Sequence, residues 1–126
     1  MYLADYHTHS RISPDAGCSM ADMAFAAAEK GLQEICFTDH MDYDPRDKNH
    51  KLHFELADYE KEYDDLEIPG LVIRRGFEFG MLPGNRQQFL VDVSRRNWDF
   101  VIGSVHFVDN LDVYYSEYWE GKTSYY

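Results

Sequence analysis

The chain has 126 residues, enough for one domain with a buried core, and we treat residues 1–126 as that domain. Its 23 acidic side chains against 12 basic ones leave a net charge of −11, which argues against nucleic acid or an anionic membrane as partner. The start lacks a signal-peptide pattern, no segment is long enough to cross a bilayer, and two cysteines are too few for a disulfide scaffold. We therefore expect a cytoplasmic protein.

Four short segments rich in apolar, β-branched or aromatic residues are predicted to be strands. They cover residues 2–6, 34–38, 71–79 and 99–105. Their nearly continuous apolar character indicates that they are buried, as is typical of a parallel sheet covered by helices.

Three helices are predicted between these strands. The first begins at a capping box formed by Ser19 and Asp22 and ends at Gly31. A second covers residues 55–66, and Asn85 is placed to cap a third. The apolar face of this third helix would be formed by Phe89, Leu90 and Val93. Strands and helices thus alternate, which predicts right-handed β/α units and an α/β fold built on a parallel sheet.

Each predicted strand ends near side chains that commonly bind metal ions. In chain order these are His7, His9, Asp15, Asp39, His40, Glu78 and His106. The carboxyl ends of parallel strands meet at one edge of a sheet, so we expect these side chains to lie close together. Imidazole and carboxylate ligands in combination suit zinc, manganese or iron. The sequence therefore predicts a site for divalent metal ions at this edge.

Most of these residues also have an ordinary explanation when each is taken alone. His40 could cap a helix, and His106 could be a hydrogen-bonded histidine of the core. Glu78 is different, because a carboxylate within the apolar segment 76–79 is costly to bury unless it is paired or metal-bound. Outside the site we expect solvated histidines, buried cysteines, and tyrosines of a core or interface: His50, His53, Cys18, Cys36 and the tyrosines from Tyr114 to Tyr126.

Four separated motifs stand out along the chain: Asp5-Tyr6-His7-Thr8-His9-Ser10, Phe37-Thr38-Asp39-His40, Gly76-Phe77-Glu78 and Ile102-Gly103-Ser104-Val105-His106. In this order they resemble the motifs of the polymerase-and-histidinol-phosphatase (PHP) family. The sequence around and after the last motif looks most like the histidinol-phosphate phosphatase branch of that family. The resemblance extends over essentially the whole chain.

This resemblance implies a fold and a set of metal ligands. The parallel β/α units would form the first four or so units of a distorted barrel of seven β/α units, which holds a cluster of divalent metal ions. The implied ligands are His7 and His9 for the first ion, Glu78 and His106 for the ion that Glu78 bridges to it, and Asp15 and His40 for the third.

The resemblance also implies a phosphoric monoester hydrolase that converts L-histidinol phosphate and water to L-histidinol and phosphate in histidine biosynthesis. Its partner would be a small phosphoester. Glu78 and His106 would be catalytic as well as metal-binding, and Arg11 is a candidate contact of the phosphate, although a surface ion pair explains Arg11 equally well. Two alternatives stay open: a nuclease-like phosphoesterase of the same family, and a metal-binding fragment without activity.

The chain departs from the family pattern in its length. Members of the family are much longer, and their later strands supply another histidine and a closing aspartate–histidine pair. Residues 1–126 would therefore be a partial PHP domain, with fewer ligands than three ions need at about three ligands each. A four-stranded parallel sheet would also leave unpaired edges. We expect either a homodimer that covers the open half barrel or a truncated product.

Overall fold

The computed structural model describes residues 1–44, 46–49 and 51–122. Its elements are β1 (Ala4–Thr8), α1 (Met20–Glu29), β2 (Glu34–Phe37), β3 (His40–Met41), α2 (Leu56–Tyr63), β4 (Val72–Gly80), α3 (Arg86–Ser94), β5 (Phe100–Ser104), β6 (Phe107–Val108), β7 (Leu111–Asp112) and α4 (Ser116–Trp119). Within these ranges, no helix has both the length and the apolar character that a membrane span requires.

The strands β1, β2, β4 and β5 lie side by side in this order in a parallel sheet, which confirms the predicted α/β fold. β2 pairs with the first half of β4, and β5 pairs with its second half. The short strand β3 continues the line of β2 along β4 and places His40 directly opposite Glu78. Only Thr38 and Asp39 separate β2 from β3, so the two behave as one broken strand that leads to the carboxyl edge of the sheet.

Apolar side chains of α1, α2, β2 and β4 form the core. Both predicted ends of α1 are confirmed: the Ser19 hydroxyl accepts a hydrogen bond from the N–H of Asp22 at 3.1 Å, and Gly31 follows the helix with a φ of 81°. The buried apolar residues are Met20, Ala24, Ala27, Ile35, Phe37, Met41, Phe54, Tyr59, Leu71, Phe77 and Phe79. The sheet is thus anchored on the helices that precede its two inner strands.

The prediction of four buried strands is confirmed only for the inner ones. β2 is buried at every residue and β4 in its second half, whereas β1 and β5 are largely exposed or half-buried. The reason is their position, because β1 and β5 are the outer strands of the sheet. In the part of the chain that the structure describes, each of them pairs with one neighbour.

Helix α3 is rotated relative to the prediction. Phe89 packs against the core, but Leu90 and Val93 are 42% and 36% exposed. The buried side chain of α3 is Asp92, whose carboxylate accepts a hydrogen bond from the Gln88 amide at 3.2 Å. Phe89 and Asp92 lie three residues apart and share one face of the helix. The buried face of α3 therefore carries one aromatic ring and a polar network. The prediction that Leu90 and Val93 share an apolar face with Phe89 is wrong.

Two predicted helix boundaries also differ in detail. Asn85 lies directly before α3, as predicted, but its side chain does not cap the helix. Instead it donates to the carbonyl of Gly80 at 2.8 Å and accepts from the N–H of Leu82 at 3.1 Å, which closes the turn after β4. α2 ends at Tyr63, before its predicted end: Asp64 is extended with a ψ of 139°, and Asp65 follows in the left-handed region with a φ of 67°.

Tyr59 joins α2 to the two inner strands. Its hydroxyl donates to the carbonyl of Phe37 at 3.1 Å and accepts from the N–H of Gly76 at 3.2 Å, and the residue is 1% exposed. We expect Tyr59→Phe to lower the free energy of unfolding by about 1–3 kcal/mol, because buried backbone groups of both strands lose a hydrogen-bond partner. Urea denaturation followed by circular dichroism measures this loss.

Tyr63→Phe is the matched control for this change. Its hydroxyl donates to a single carbonyl, that of Ile73 at 2.8 Å, and the residue is only half-buried. A smaller loss of stability is therefore expected. An equal loss in the two variants would contradict a special role of the Tyr59 hydroxyl in joining the strands.

Candidate metal centre

The first group of side chains at the carboxyl edge of the sheet consists of His7, His9 and Glu78. The two histidines lie two residues apart at the end of β1, and their ring centroids are 5.1 Å apart. Glu78, which is 3% exposed, approaches both rings from β4. Its Oε2 lies 3.2 Å from His7 Nε2 and 2.9 Å from His9 Nε2. One carboxylate oxygen and two ring nitrogens therefore face a common point.

The second oxygen of Glu78 faces the other side of the site. Its Oε1 lies 3.1 Å from His106 Nε2 and accepts a hydrogen bond from the Ser104 hydroxyl at 2.5 Å. Burial by itself raises the pKa of Glu78, but the hydrogen bonds from His106, His9 and Ser104 outweigh burial and lower the pKa well below its ordinary value. Glu78 is thus an ionised carboxylate that links β1 to the end of β5.

A second group brings Asp15 and His40 next to His9. The Oδ2 of Asp15 lies 3.0 Å from His9 Nδ1 and 3.4 Å from His40 Nε2. The rings of His9 and His40 are 4.3 Å apart between centroids. Asp15 comes from the loop after β1, whereas His40 comes from β3. The structure therefore brings together the six predicted metal ligands, which arrive from different strands and loops.

Asp39 was expected at the same edge, and it supports the loop that carries Asp15. Its buried carboxylate accepts hydrogen bonds from the N–H of Ser10 at 2.7 Å, the Ser10 hydroxyl at 3.0 Å and the Ser13 hydroxyl at 2.7 Å. Burial raises the pKa of Asp39, and these hydrogen bonds only partly oppose that effect. Asp39 therefore shapes the first loop, while the next residue, His40, faces the metal-binding groups.

Asp42 belongs to the site as well, although it is not among the ligands predicted from the sequence. Its side chain is buried at 5% exposure, with Oδ1 2.9 Å from His106 Nδ1 and Oδ2 3.1 Å from His40 Nδ1. A signal for it existed, because side chains two residues apart on a strand point to the same side, as His40 and Asp42 do. The two-residue strand β3 was too short to be recognised from its pattern.

These groups fit divalent cations. Three sets each offer ligand atoms that all lie within 4.8 Å of one another: His7, His9 and Glu78; His9, Asp15 and His40; and His40, Asp42 and His106. In the part of the chain that the structure describes, His9 Nε2 and His40 Nδ1 are buried side-chain nitrogens without a hydrogen-bond partner. For His9 Nε2, which lies 2.9 Å from the ionised carboxylate of Glu78, a bound cation is a partner that satisfies the lone pair of the ring.

The ligands form part of the wall of a cavity of about 770 Å³. Its remaining wall consists of Pro14, Leu52, Phe107, Asp112, Tyr114 and Tyr115. Tyr114 and Tyr115 were expected in a core or an interface, but they are exposed side chains that border this cavity. Their contribution could not be read from the sequence, because it depends on the hairpin β6–β7 that precedes them.

Arg11, the predicted phosphate contact, lies elsewhere. Its Nε donates to a carboxylate oxygen of Glu62, whose other oxygen accepts from the N–H of Met20 at 2.9 Å. Arg11 lines a neighbouring cavity together with Lys61 and Glu62, outside the cavity formed by the histidines. Of its two explanations, the structure therefore supports the surface ion pair, which ties the first loop to α2.

Three of the residues set aside in the sequence analysis can also be compared with the structure. His53 is half-buried and stacks on Tyr43 with ring centroids 4.7 Å apart, so the expectation that it is solvated is wrong. Cys36 is buried, as expected, whereas Cys18 is exposed because it lies in the surface loop before α1. His50 lies outside the described residues.

Comparison with protein families gives one match across nearly the whole chain. The sequence profile described as PHP domain matches residues 5–126. A probable histidinol-phosphatase of Deinococcus radiodurans is 35% identical over 112 residues, which are 84% of this chain and 43% of that protein. The DNA polymerase/3′-5′ exonuclease PolX of Bacillus subtilis is 35% identical over 104 residues, which are 81% of this chain and 18% of that protein.

A solved structure with the same architecture is also similar. It is the histidinol phosphate phosphatase of Lactococcus lactis, complexed with zinc, L-histidinol and phosphate. The two structures superpose with a TM-score of 0.84 and 31% sequence identity, over 96% of this chain and 47% of the Lactococcus protein. The chain thus spans less than half the length of the histidinol-phosphatases that it resembles.

Removal of the Glu78 charge tests the metal centre directly. We expect Glu78→Gln to weaken zinc binding by at least about 100-fold. An amide carries no charge, and its NH2 group cannot replace the second carboxylate oxygen as a metal ligand. At a saturating zinc concentration, this loss removes about 2.7 kcal/mol of the stabilisation by zinc. Calorimetric titration with zinc and thermal unfolding with and without zinc measure the two effects.

Glu34→Gln is the matched control. Glu34 also accepts several hydrogen bonds, from the hydroxyls of Tyr2 and Tyr6 and from Arg74, but it lies at the beginning of β2, far along the strand from the histidines. Its variant should bind zinc like the wild type. Unchanged zinc binding in Glu78→Gln, or an equal loss in Glu34→Gln, would contradict the assignment of the centre.

Proposed function

Because the chain belongs to the PHP domain family, we propose that it forms the metal-binding part of a phosphomonoesterase that hydrolyses L-histidinol phosphate to L-histidinol and phosphate. The observation that carries this proposal is the convergence of four histidines around Glu78 at the carboxyl edge of the sheet. The similarity to histidinol-phosphatases supports the substrate and a place in histidine biosynthesis.

The charge of the cavity supports a metal-dependent reaction. Its described lining includes the carboxylates of Asp15, Asp42, Glu78 and Asp112 and contains no lysine or arginine. A phosphate dianion would be repelled by this wall unless cations compensate the negative charge. When bound, divalent ions supply that charge and the Lewis acidity that activates water for attack on phosphorus.

The residues of this chain divide the work of holding such ions. His7, His9 and Glu78 would hold one, Glu78 and His106 a second, and Asp15 and His40 a third; these assignments are proposals. Glu78 is suited to join two ions because its two oxygens face different histidines. Zinc is supported by the solved relative, while manganese and iron agree with the donor types. The cytoplasmic location stays a prediction.

The remaining wall of the cavity suits the alcohol part of L-histidinol phosphate. Phe107, Tyr114 and Tyr115 offer aromatic rings, and Asp112 offers a carboxylate, one oxygen of which accepts from the N–H of Tyr114 at 2.8 Å. An ammonium group pairs with a carboxylate, and a cationic or aromatic group stacks on aromatic faces. L-Histidinol carries both an ammonium group and an imidazole ring. We therefore place its recognition on this wall.

Phosphate release from L-histidinol phosphate in the presence of zinc or manganese tests the reaction. We expect His9→Ala to reduce the rate by at least about 100-fold, because it removes an imidazole that faces both Glu78 and Asp15. His53→Ala is the matched control, since His53 borders the neighbouring cavity, and its rate should stay near that of the wild type. Metal-bound wild-type protein without phosphate release would contradict activity of this chain and favour the non-catalytic alternative.

The substrate wall is tested by removing one charge. We expect Asp112→Asn to raise KM for L-histidinol phosphate about 10-fold, with a smaller change of kcat, because an ion pair with the substrate ammonium is worth about 1 kcal/mol or more at a partly shielded site. KM for 4-nitrophenyl phosphate, which has no ammonium group, should change little. An equal rise of KM for both substrates would contradict recognition of the ammonium group by Asp112.

The nuclease-like alternative is favoured by one similarity, that to the Bacillus polymerase and exonuclease. The net charge of −11 and the absence of basic side chains from the described cavity lining argue against it. Binding of single-stranded DNA that weakens as salt concentration rises would favour the nuclease reading.

The homodimer also stays a prediction. Large apolar side chains on and beside the outer strand β5 are exposed, among them Phe100 and Val105. An outer strand with unpaired backbone groups and exposed apolar side chains is a typical site of association. Light scattering that finds a folded monomer would contradict the dimer.

A further inference from the structure

The carboxylate of Asp42 faces two imidazoles, and in both rings the nitrogen that it faces is Nδ1. Both oxygens of Asp42 lie near His106 Nδ1, Oδ1 at 2.9 Å and Oδ2 at 3.0 Å, and Oδ2 lies 3.1 Å from His40 Nδ1. The opposite nitrogens of these rings face other carboxylates. His106 Nε2 is 3.1 Å from Glu78 Oε1, and His40 Nε2 is 3.4 Å from Asp15 Oδ2.

A neutral imidazole binds a metal ion through one nitrogen and carries its proton on the other. We propose that Asp42 is a positioning residue that accepts the Nδ1–H of both His40 and His106 and thereby leaves Nε2 of each ring free to bind an ion. This inference rests on the metal-binding part of the proposed function. It gives Asp42 a role different from that of Asp15, which faces Nε2 of His40, and from that of Glu78, which faces Nε2 of His106. Glu78 Oε2 also lies 3.5 Å from His40 Nδ1, but Asp42 is closer to that atom.

The surroundings of Asp42 support this role. Its carboxylate is buried, and a buried carboxylate requires hydrogen-bond donors. Its backbone N–H donates to the carbonyl of Leu52 at 2.7 Å, which holds β3 against the following loop. His106 Nδ1 forms a hydrogen bond with the Asp42 carboxylate, whereas His40 Nδ1 lies 3.1 Å from Oδ2 without forming one, so the proposed contact to His40 rests on this distance.

Gly80 provides the space that this arrangement needs. A Cβ atom built on Gly80 would lie 1.4 Å from Oδ1 of Asp42 and 2.6 Å from its carboxyl carbon. Any other residue at this end of β4 would therefore displace the carboxylate from the two rings. Gly80 of the inner strand β4 and the carboxylate of Asp42, directly after β3, are therefore in close contact. A solvated aspartate would not require a glycine at this position.

The first test reads the protonation of the rings in the unchanged protein. Long-range ¹H–¹⁵N correlation spectra of zinc-loaded, histidine-labelled chain identify the protonated and the metal-bound nitrogen of each imidazole. We expect Nδ1 to be protonated and Nε2 to be metal-bound in both His40 and His106. A metal-bound Nδ1 in either ring would overturn the inference, because Asp42 would then share an ion with that ring as a ligand.

The second test measures zinc affinity by competition with a chromogenic chelator. We expect Asp42→Ala to weaken zinc binding about 10- to 100-fold, as removal of a group that orients metal ligands does. Asp42→Asn keeps one acceptor oxygen and should lose less. Gly80→Ala keeps the carboxylate but displaces it, so it should weaken binding in the same direction.

Asp92→Asn is the matched control for burial. Asp92 is fully buried like Asp42, but it is bonded to Gln88 and paired with Arg95, so zinc affinity should stay within about twofold of the wild type. Unchanged zinc affinity in Asp42→Ala would overturn this inference but not the metal centre. Wild-type chain that binds no zinc would overturn the metal centre and, with it, the proposed function. The ring spectra require no variant, so they decide the matter even if Asp42→Ala does not fold.

Discussion

The buried carboxylate of Glu78 is the constraint on which the rest of the site depends. It lies at the end of an inner strand, where a charge without partners would be strongly destabilising. The partners come from both sides of β4: histidines from the end of β1 on one side, and Ser104 and His106 from the end of β5 on the other. The order of strands in the sheet therefore supplies the partners that stabilise the buried charge of Glu78, and it places Glu78 at the centre of the cluster.

Two buried carboxylates near the break between β2 and β3, those of Asp39 and Asp42, have different partners. Asp39 points into the first loop and binds the hydroxyls of Ser10 and Ser13, so the loop that carries Asp15 has a defined shape. Asp42, three residues later, packs against Gly80 and faces the imidazoles of His40 and His106. Alternation along an extended segment sends side chains three residues apart to opposite sides. The segment therefore supports the loop with Asp39 and faces the histidines with Asp42.

Electrostatics relates the acidic composition of the chain to its proposed chemistry. The described lining of the cavity combines carboxylates with imidazoles, so it attracts cations and repels a bare phosphate. Divalent ions held by the histidines and carboxylates would reverse this preference near them. The same lining also includes Asp112 and three aromatic rings, on which the proposed recognition of L-histidinol phosphate rests.

The sequence by itself determined the alternation of strands and helices, the ends of α1 and the edge of the sheet at which the six predicted ligands cluster. These features depend on local patterns: apolar runs, a capping box, a glycine in the left-handed region, and polar residues directly after each strand. They also depend on one general rule, that parallel strands present their carboxyl ends together. The rule locates ligands at an edge without specifying which of them touch.

Only the tertiary structure decided the roles of Asp42, Arg11 and Asp92, and the place of Tyr114 and Tyr115 in the cavity wall. Each depends on a partner far away in the chain, such as His106 for Asp42 or Glu62 for Arg11. The rotation of α3 was likewise set by burial of Asp92 with Gln88, which no apolar periodicity encodes. Local sequence patterns determine the strand, helix or loop on which a side chain lies. Packing between distant segments determines which groups that side chain contacts.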